Sequence, residues 1–124
     1  SCLAVAPGAA GVLAQFECGP YPGGGGPERT VYQRADGRGR LSELLASAQD
    51  VSTVRVCPGR IQSPGPWRRG GVPERSGGIV FCGERAGQPM MGWSDDEQMT
   101  FALISSGDTG STPEQLYRWW SANS

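Results

Sequence analysis

GGIVFCGERAGQPMMGWSDDEQMTFALISSG, Gly77–Gly107, is the stretch from which the fold of this chain is read. It holds three strand-forming runs, at residues 78–84, 89–95 and 99–107, separated by the turn RAGQ and the polar turn DDE. In the first run Ile79 and Phe81 fall on one face, and Val80 and Cys82 on the other. Connections this short join antiparallel neighbours, because a parallel pair needs a crossover of a dozen or more residues. The stretch therefore predicts an antiparallel meander.

Downstream, TPEQLYRWW starts a helix with its own signals. Thr112 suits the N-cap, Pro113 the first helical position, and Gln115 completes a capping box. Leu116, Trp119 and Trp120 share one stripe, which predicts that one or both tryptophans pack on the meander, the rival reading being an exposed aromatic face for a partner. Upstream, VSTVRVC at 51–57 alternates as a strand, and Leu41, Leu44, Leu45 and Ala48 mark the core face of a helix. DGRGR before that helix reads as a turn, and ERTVYQRA at 28–35 as a strand. GPYPGGGGP at 19–27 reads as a surface loop. Ahead of it, Ala9, Ala10, Leu13 and Ala14 predict a short helix, then an extended run into Cys18. Residues 58–78 read as one long loop carrying Trp67, which either covers the core edge or anchors a partner. The fold class expected is α+β: an antiparallel sheet of about five strands with main helices at 41–49 and 112–122, in one domain.

Composition sets the energetics. The chain has 124 residues, 37% hydrophobic, with 20 Gly and 10 Pro. A core this thin calls for other support, and the four cysteines supply it. Cys2, Cys18, Cys57 and Cys82 form no C-x-x-C pair, and histidine is absent, so a structural metal site is not expected. Two disulfides are, which places the chain in an oxidising compartment outside the cytosol. Of three connectivities, the sequential one is favoured: Cys2 with Cys18 and Cys57 with Cys82. Each bridge should contribute roughly 3 kcal/mol in the chain-entropy model.

The net charge is −1 and all eleven cations are arginine. Arg38–Arg40 and Arg68–Arg69 are too dispersed to be a nucleic-acid footprint. CLAVAPGAAGVLAQF is broken by Pro7 and glycines and is too short to span a membrane. It also lacks the basic start of a signal peptide, so any export or anchoring segment would lie outside this chain. Without histidine, a Ser-His-Asp or Cys-His arrangement is impossible. Asp95, Asp96 and Glu97 read as a solvated turn rather than a Ca²⁺ site or paired catalytic carboxylates. Residues 19–27 lack the strand, helix and Lys of a phosphate-binding loop. No enzyme and no cofactor are expected. A binding surface, if one is named, is the 60–73 loop with Arg60, Trp67, Arg68 and Arg69. Arg60-Ile61 next to Cys57 also admits a second class, a disulfide-stabilised protease inhibitor that presents arginine to a trypsin-like pocket.

The C-terminal half resembles a module at the extracytoplasmic end of actinobacterial membrane proteins, among them mycobacterial transmembrane serine/threonine protein kinases and some lipoproteins and secreted proteins. The likeness rests on Gly78–Cys82, the W-S-D-D hairpin at Trp93–Asp96 and the closing L-Y-R-W-W at Leu116–Trp120, with Cys57-Pro58-Gly59 and Trp67 upstream. It covers about residues 50–120 well and the first half loosely. The resemblance implies a sensor domain that binds an envelope ligand or protein, or dimerises, with the kinase and its membrane span elsewhere in the parent. Cys57, Cys82, Trp93, Trp119 and Trp120 are then structural. The alternative is a stand-alone exported protein, a lipoprotein or the inhibitor.

Overall fold

The computed structural model describes residues 2–68 and 76–124. Eight strands and two main helices follow in order: β1 (Cys2–Val5), β2 (Val12–Cys18), β3 (Arg29–Ala35), α1 (Arg38–Asp50), β4 (Thr53–Arg55), β5 (Gly65–Arg68), β6 (Ser76–Arg85), β7 (Gln88–Asp95), β8 (Thr100–Ser105) and α2 (Pro113–Asn123). A single 3₁₀ turn, Gly107–Thr109, leads toward α2. The strands make one sheet in the order β1-β2-β3-β8-β7-β6-β4, with β5 on the same edge of β6 as β4. Every strand pairing is antiparallel. The class is α+β as expected, but the sheet has eight strands, not five.

The meander sits at the centre. β6, β7 and β8 pair in sequence, with Cys82 opposite Met91 and Met91 opposite Ile104. Each of its faces is covered by one helix. α1 packs Leu41 and Ala48 on Phe81, Met90 and Phe101. α2 packs Leu116 and Trp120 on Val80, Met91, Trp93 and Ile104. Phe81 thus belongs to one core and Val80 and Cys82 to the other, while Ile79 is half-buried and joins neither. Gly92 belongs to this arrangement: a Cβ there would lie 2.5 Å from Phe81 Cε1, so the absence of a side chain makes room for the ring.

The capping box at α2 is present. Thr112 Oγ1 accepts from the Gln115 N–H at 3.1 Å, and Gln115 Oε1 accepts from the Thr112 N–H at 2.9 Å. Ser111 Oγ donates to Gly26 O at 2.7 Å, which ties the glycine-rich loop to the helix start. Tyr21 in that loop meets Trp119 edge-on, with ring centroids 6.3 Å apart. The other helix begins earlier than DGRGR suggested. Arg38 and Arg40 already belong to α1, and Arg40 pairs with Glu43 at 3.2 Å one turn on.

Two further expectations are corrected. The alanine-rich segment near residue 10 is not helical. It turns at Gly11, with φ 80°, between the strands of a hairpin. A helix so short is marginal alone, and pairing of β2 with β3 outweighs alanine's local preference. Residues 65–68, read as loop, form β5. Pro66 does not forbid this, because β5 pairs with β6 alone and its other edge needs no donor.

Both disulfides join sequential cysteines: Cys2–Cys18, with Cα atoms 4.0 Å apart, and Cys57–Cys82, at 5.2 Å. The first crosses the β1–β2 hairpin. The second lies inside the α2-side core, where Cys57 is 0% and Cys82 4% exposed.

Four rings fill that core. Trp120 meets Trp67 at 5.9 Å, Trp93 at 6.2 Å and Tyr117 at 5.3 Å. Trp67 Nε1–H donates to Ser94 O at 2.8 Å, whereas the buried Trp120 Nε1–H has no hydrogen-bond partner among the described residues. This asymmetry is testable. Phenylalanine removes similar ring volume at either site but breaks a buried hydrogen bond only at residue 67. Trp67→Phe is therefore expected to cost about 1–2 kcal/mol more than Trp120→Phe, read from urea midpoints.

Candidate functional site

The segment after β4 forms a stiff turn. Cys57 N–H donates to Ile61 O at 2.9 Å, and Ile61 N–H returns to Cys57 O at 3.2 Å. Pro58 and Gly59 occupy the bend, Gly59 with φ 86°. The turn is pinned to β6 twice: by the Cys57–Cys82 bridge, and by Ser63 Oγ, which accepts the Cys82 N–H at 2.8 Å. Arg60 closes it with φ 60°, a left-handed conformation that costs a side-chain-bearing residue about 1 kcal/mol.

This turn and β5 form one wall of a trough whose other wall is α2. Two cavities lie along it. The first, about 400 Å³, is floored by Cys82, Pro89 and Met91 and flanked by Val56, Arg60 and the α2 start at Pro113 and Glu114. The second, about 420 Å³, lies farther along the helix beside Ile61, Trp67, Arg68, Tyr117 and Trp120. Glu114, Tyr117 and Ser121 are spaced by three or four residues, so α2 offers one stripe to both, continued by Ser124 at its C-cap. Val56 and Ile61, 65% and 42% exposed, give the trough an apolar lip.

The charges on the trough are uneven. Arg55 pairs with Glu84 at 3.2 Å on the rim, an exposed contact worth little. Arg60 and Arg68 have no ion-pair partner among the described residues. Burial raises the Tyr117 phenol above its usual value, so it stays a neutral hydroxyl at pH 7. The trough can thus take an apolar body and offer the Arg60 and Arg68 guanidinium donors to acceptor oxygens on it, with the Glu84 and Glu114 carboxylates beside Arg60 in the first cavity.

The residues singled out in the sequence fall as follows. Arg60 lines the first cavity and Arg68 the second. Trp67 also lines the second, but it is 5% exposed and its ring is committed to the core. Arg69 lies outside the described residues. Trp93 and Trp120 are buried and Trp119 half-buried. Val56, Met91, Glu114 and Tyr117 were not anticipated as site residues. Cys-Pro-Gly-Arg was the signal that could have found the wall, because Pro-Gly specifies a turn and the cysteine specifies its anchor. Arg60, the residue that the inhibitor reading would present, sits in a closed, left-handed turn.

At the 95–97 hairpin, Asp95 Oδ1 accepts the N–H groups of Glu97 and Gln98, both at 3.1 Å. Among the described residues no group of three or more His, Cys, Asp or Glu side chains is placed to hold a metal ion, and no helix is long and apolar enough to cross a membrane. Two disulfides are compatible with an oxidising, extracytoplasmic setting. Compared with protein-family models, curated proteins and solved structures, the chain gives no match.

Proposed function

We propose that this chain is the non-catalytic, extracytoplasmic sensor domain of a membrane-anchored serine/threonine protein kinase, and that the trough beside α2 receives its cell-envelope ligand. The observation that carries the binding half is the disulfide-pinned turn. It holds Arg60 in a costly conformation at the edge of an apolar cavity that Glu84 and Glu114 also line, and among the described residues no ion pair ties up its guanidinium. Preorganisation of this kind lowers the ordering cost of binding. The kinase half rests on the resemblance of Gly78–Cys82, Trp93–Asp96 and Leu116–Trp120 to the extracytoplasmic module of such kinases. In that setting, signalling requires a ligand that binds one arrangement of the domains better than another.

The test is a titration of the domain with a soluble muramidase digest of actinobacterial cell wall, followed through the methyl signals of Val56 and Met91. Saturable shifts are expected. Arg60→Gly should weaken the response about tenfold while stabilising the fold by about 1 kcal/mol, since glycine adopts the left-handed turn without penalty. Unmoved methyl signals, or a variant that binds like the parent, would overturn the site. Parentage is tested separately by the gene. A kinase domain and one membrane span encoded upstream are expected, and an export leader alone would leave a stand-alone exported protein instead.

A further inference from the structure

Among the described residues β1 ends the sheet, and no strand pairs with its outer edge. The direction of its backbone groups follows from the pairings inside. Ala35 N–H donates to Met99 O toward β8. Hydrogen-bonding direction alternates along an antiparallel strand, so Arg34, Tyr32 and Thr30 bond β2. Their register partners Ala14, Phe16 and Cys18 then turn toward β3, which leaves Gln15 and Glu17 to bond β1. Those two pair with Val5 and Leu3. The N–H and C=O groups of Cys2 and Ala4 therefore point away from the sheet. The 4.0 Å Cα separation of Cys2 and Cys18 agrees, being the close spacing of a non-hydrogen-bonded pair.

Proteins usually blunt such an edge with charge, proline or a bulge. Cys-Leu-Ala-Val has no charge and no proline, and its register with β2 runs without a shift. The disulfide staples it to β2, so the edge is already formed. Exposed apolar side chains gather on the same hairpin: Leu3 at 71%, Leu13 at 61% and Phe16 at 46%. The nearest carboxylate across from Leu3, Glu17, is neutralised by Arg29 at 3.0 Å.

We propose that β1 pairs antiparallel with β1 of a second copy of this chain, about a two-fold axis through Leu3. In that register Cys2 of each copy faces Ala4 of the other, and all the outward groups of both residues are used. Leu3 meets its counterpart at a non-hydrogen-bonded site, where side chains approach most closely. A second copy fits better than a charged partner strand, because two identical neutral strands meet without repulsion and a two-fold contact is self-complementary. The sheet becomes continuous across both molecules. The contact is small and falls in the weak class of interfaces. It leaves the trough open, so it stands or falls independently of ligand binding there.

The test is amide exchange by NMR with sedimentation velocity on the intact, disulfide-bonded chain, from about 20 µM to 1 mM, the range in which weak interfaces assemble. The Ala4 amide is expected to gain at least about tenfold protection as a dimer appears, while the Leu3 and Val5 amides, already bonded to β2, change little. Ala4→Pro removes an outward donor that β2 does not use, and should abolish the dimer in sedimentation. Leu3→Glu places like charges on the axis and should abolish both the dimer and the Ala4 protection, on a residue exposed enough to leave the fold intact. Ala4 exchange that ignores concentration, or a dimer that survives Leu3→Glu, would overturn the proposal.

Discussion

Trp120→Ala is expected to lower the unfolding free energy by about 3–5 kcal/mol, a large share of the roughly 5–15 kcal/mol typical of a small domain. Trp120 is 7% exposed and joins α2 to the sheet through Trp67 and Trp93, with Tyr117 of the same helix beside it. The loss should approach the full cavity cost, because the neighbours cannot collapse into the gap. Trp67 is held by its bond to Ser94 O and by the β5–β6 pairing, and Trp93 by the pairing of β7 with both β6 and β8. α2 would then rest on Leu116 and on half-buried Trp119 and Tyr117. In thermal unfolding the midpoint should fall by about 10–20 °C. Trp119→Ala is the control: this ring lies at the flank against Tyr21, and its loss should cost less than half as much. Equal effects at the two positions would mean that α2 is anchored by its whole aromatic stripe rather than by the one ring inside the core.

The parts of the fold legible in the sequence are those where local preference and tertiary demand agree. α2 is the clearest case, since its cap, its proline and its apolar stripe all indicate one helix in one orientation. The meander is another, because its strands are long and its turns short. The misread elements are those where the two conflict. Ala9 and Ala10 favour helix locally, but the Cys2–Cys18 bridge and β3 hold that region as a hairpin. Pro64, Gly65 and Pro66 signal a breaker, yet the exposed side of β6 accepts them as an edge strand. Eight strands therefore stand where five were expected, and the added ones form or adjoin the sheet's edges, where propensity is weakest as a guide. The candidate site was legible in half. Arg60 and Arg68 were identified as charges on a loop, but their opposite wall is α2, some fifty residues later in the chain. A fixed separation in sequence does not encode that pairing. It arises because α2 and the 57–61 turn lie on the same face of β6 and β7.

Removing the Cys57–Cys82 bridge, as Cys57→Ala with Cys82→Ala, is expected to cost at least as much as Trp120→Ala. The bridge closes a separation of 25 residues, worth about 3.5 kcal/mol in the chain-entropy model. Both sulfurs also lie within the α2-side core, so truncation to methyl groups adds a packing loss that the entropy does not count. The equivalent change at Cys2 and Cys18 closes a separation of 16 and is worth about 3 kcal/mol by the same model. Its observable effect should nevertheless be smaller. That bridge staples an exposed hairpin at the sheet's end, and β1 can detach locally while the central strands stay folded. Urea unfolding of the two double variants separates these cases. The Cys57/Cys82 variant should lose most of its midpoint. The Cys2/Cys18 variant should keep most of it and lose protection at the β1 amides. The same experiment bears on the trough, because the turn carrying Arg60 is attached through Cys57, and a reduced chain should lose the preorganised wall before it loses the meander. If the Cys57/Cys82 variant instead unfolds within about 1 kcal/mol of the parent, the apolar core is sufficient by itself. The disulfides would then no longer argue that this chain depends on an oxidising compartment to fold.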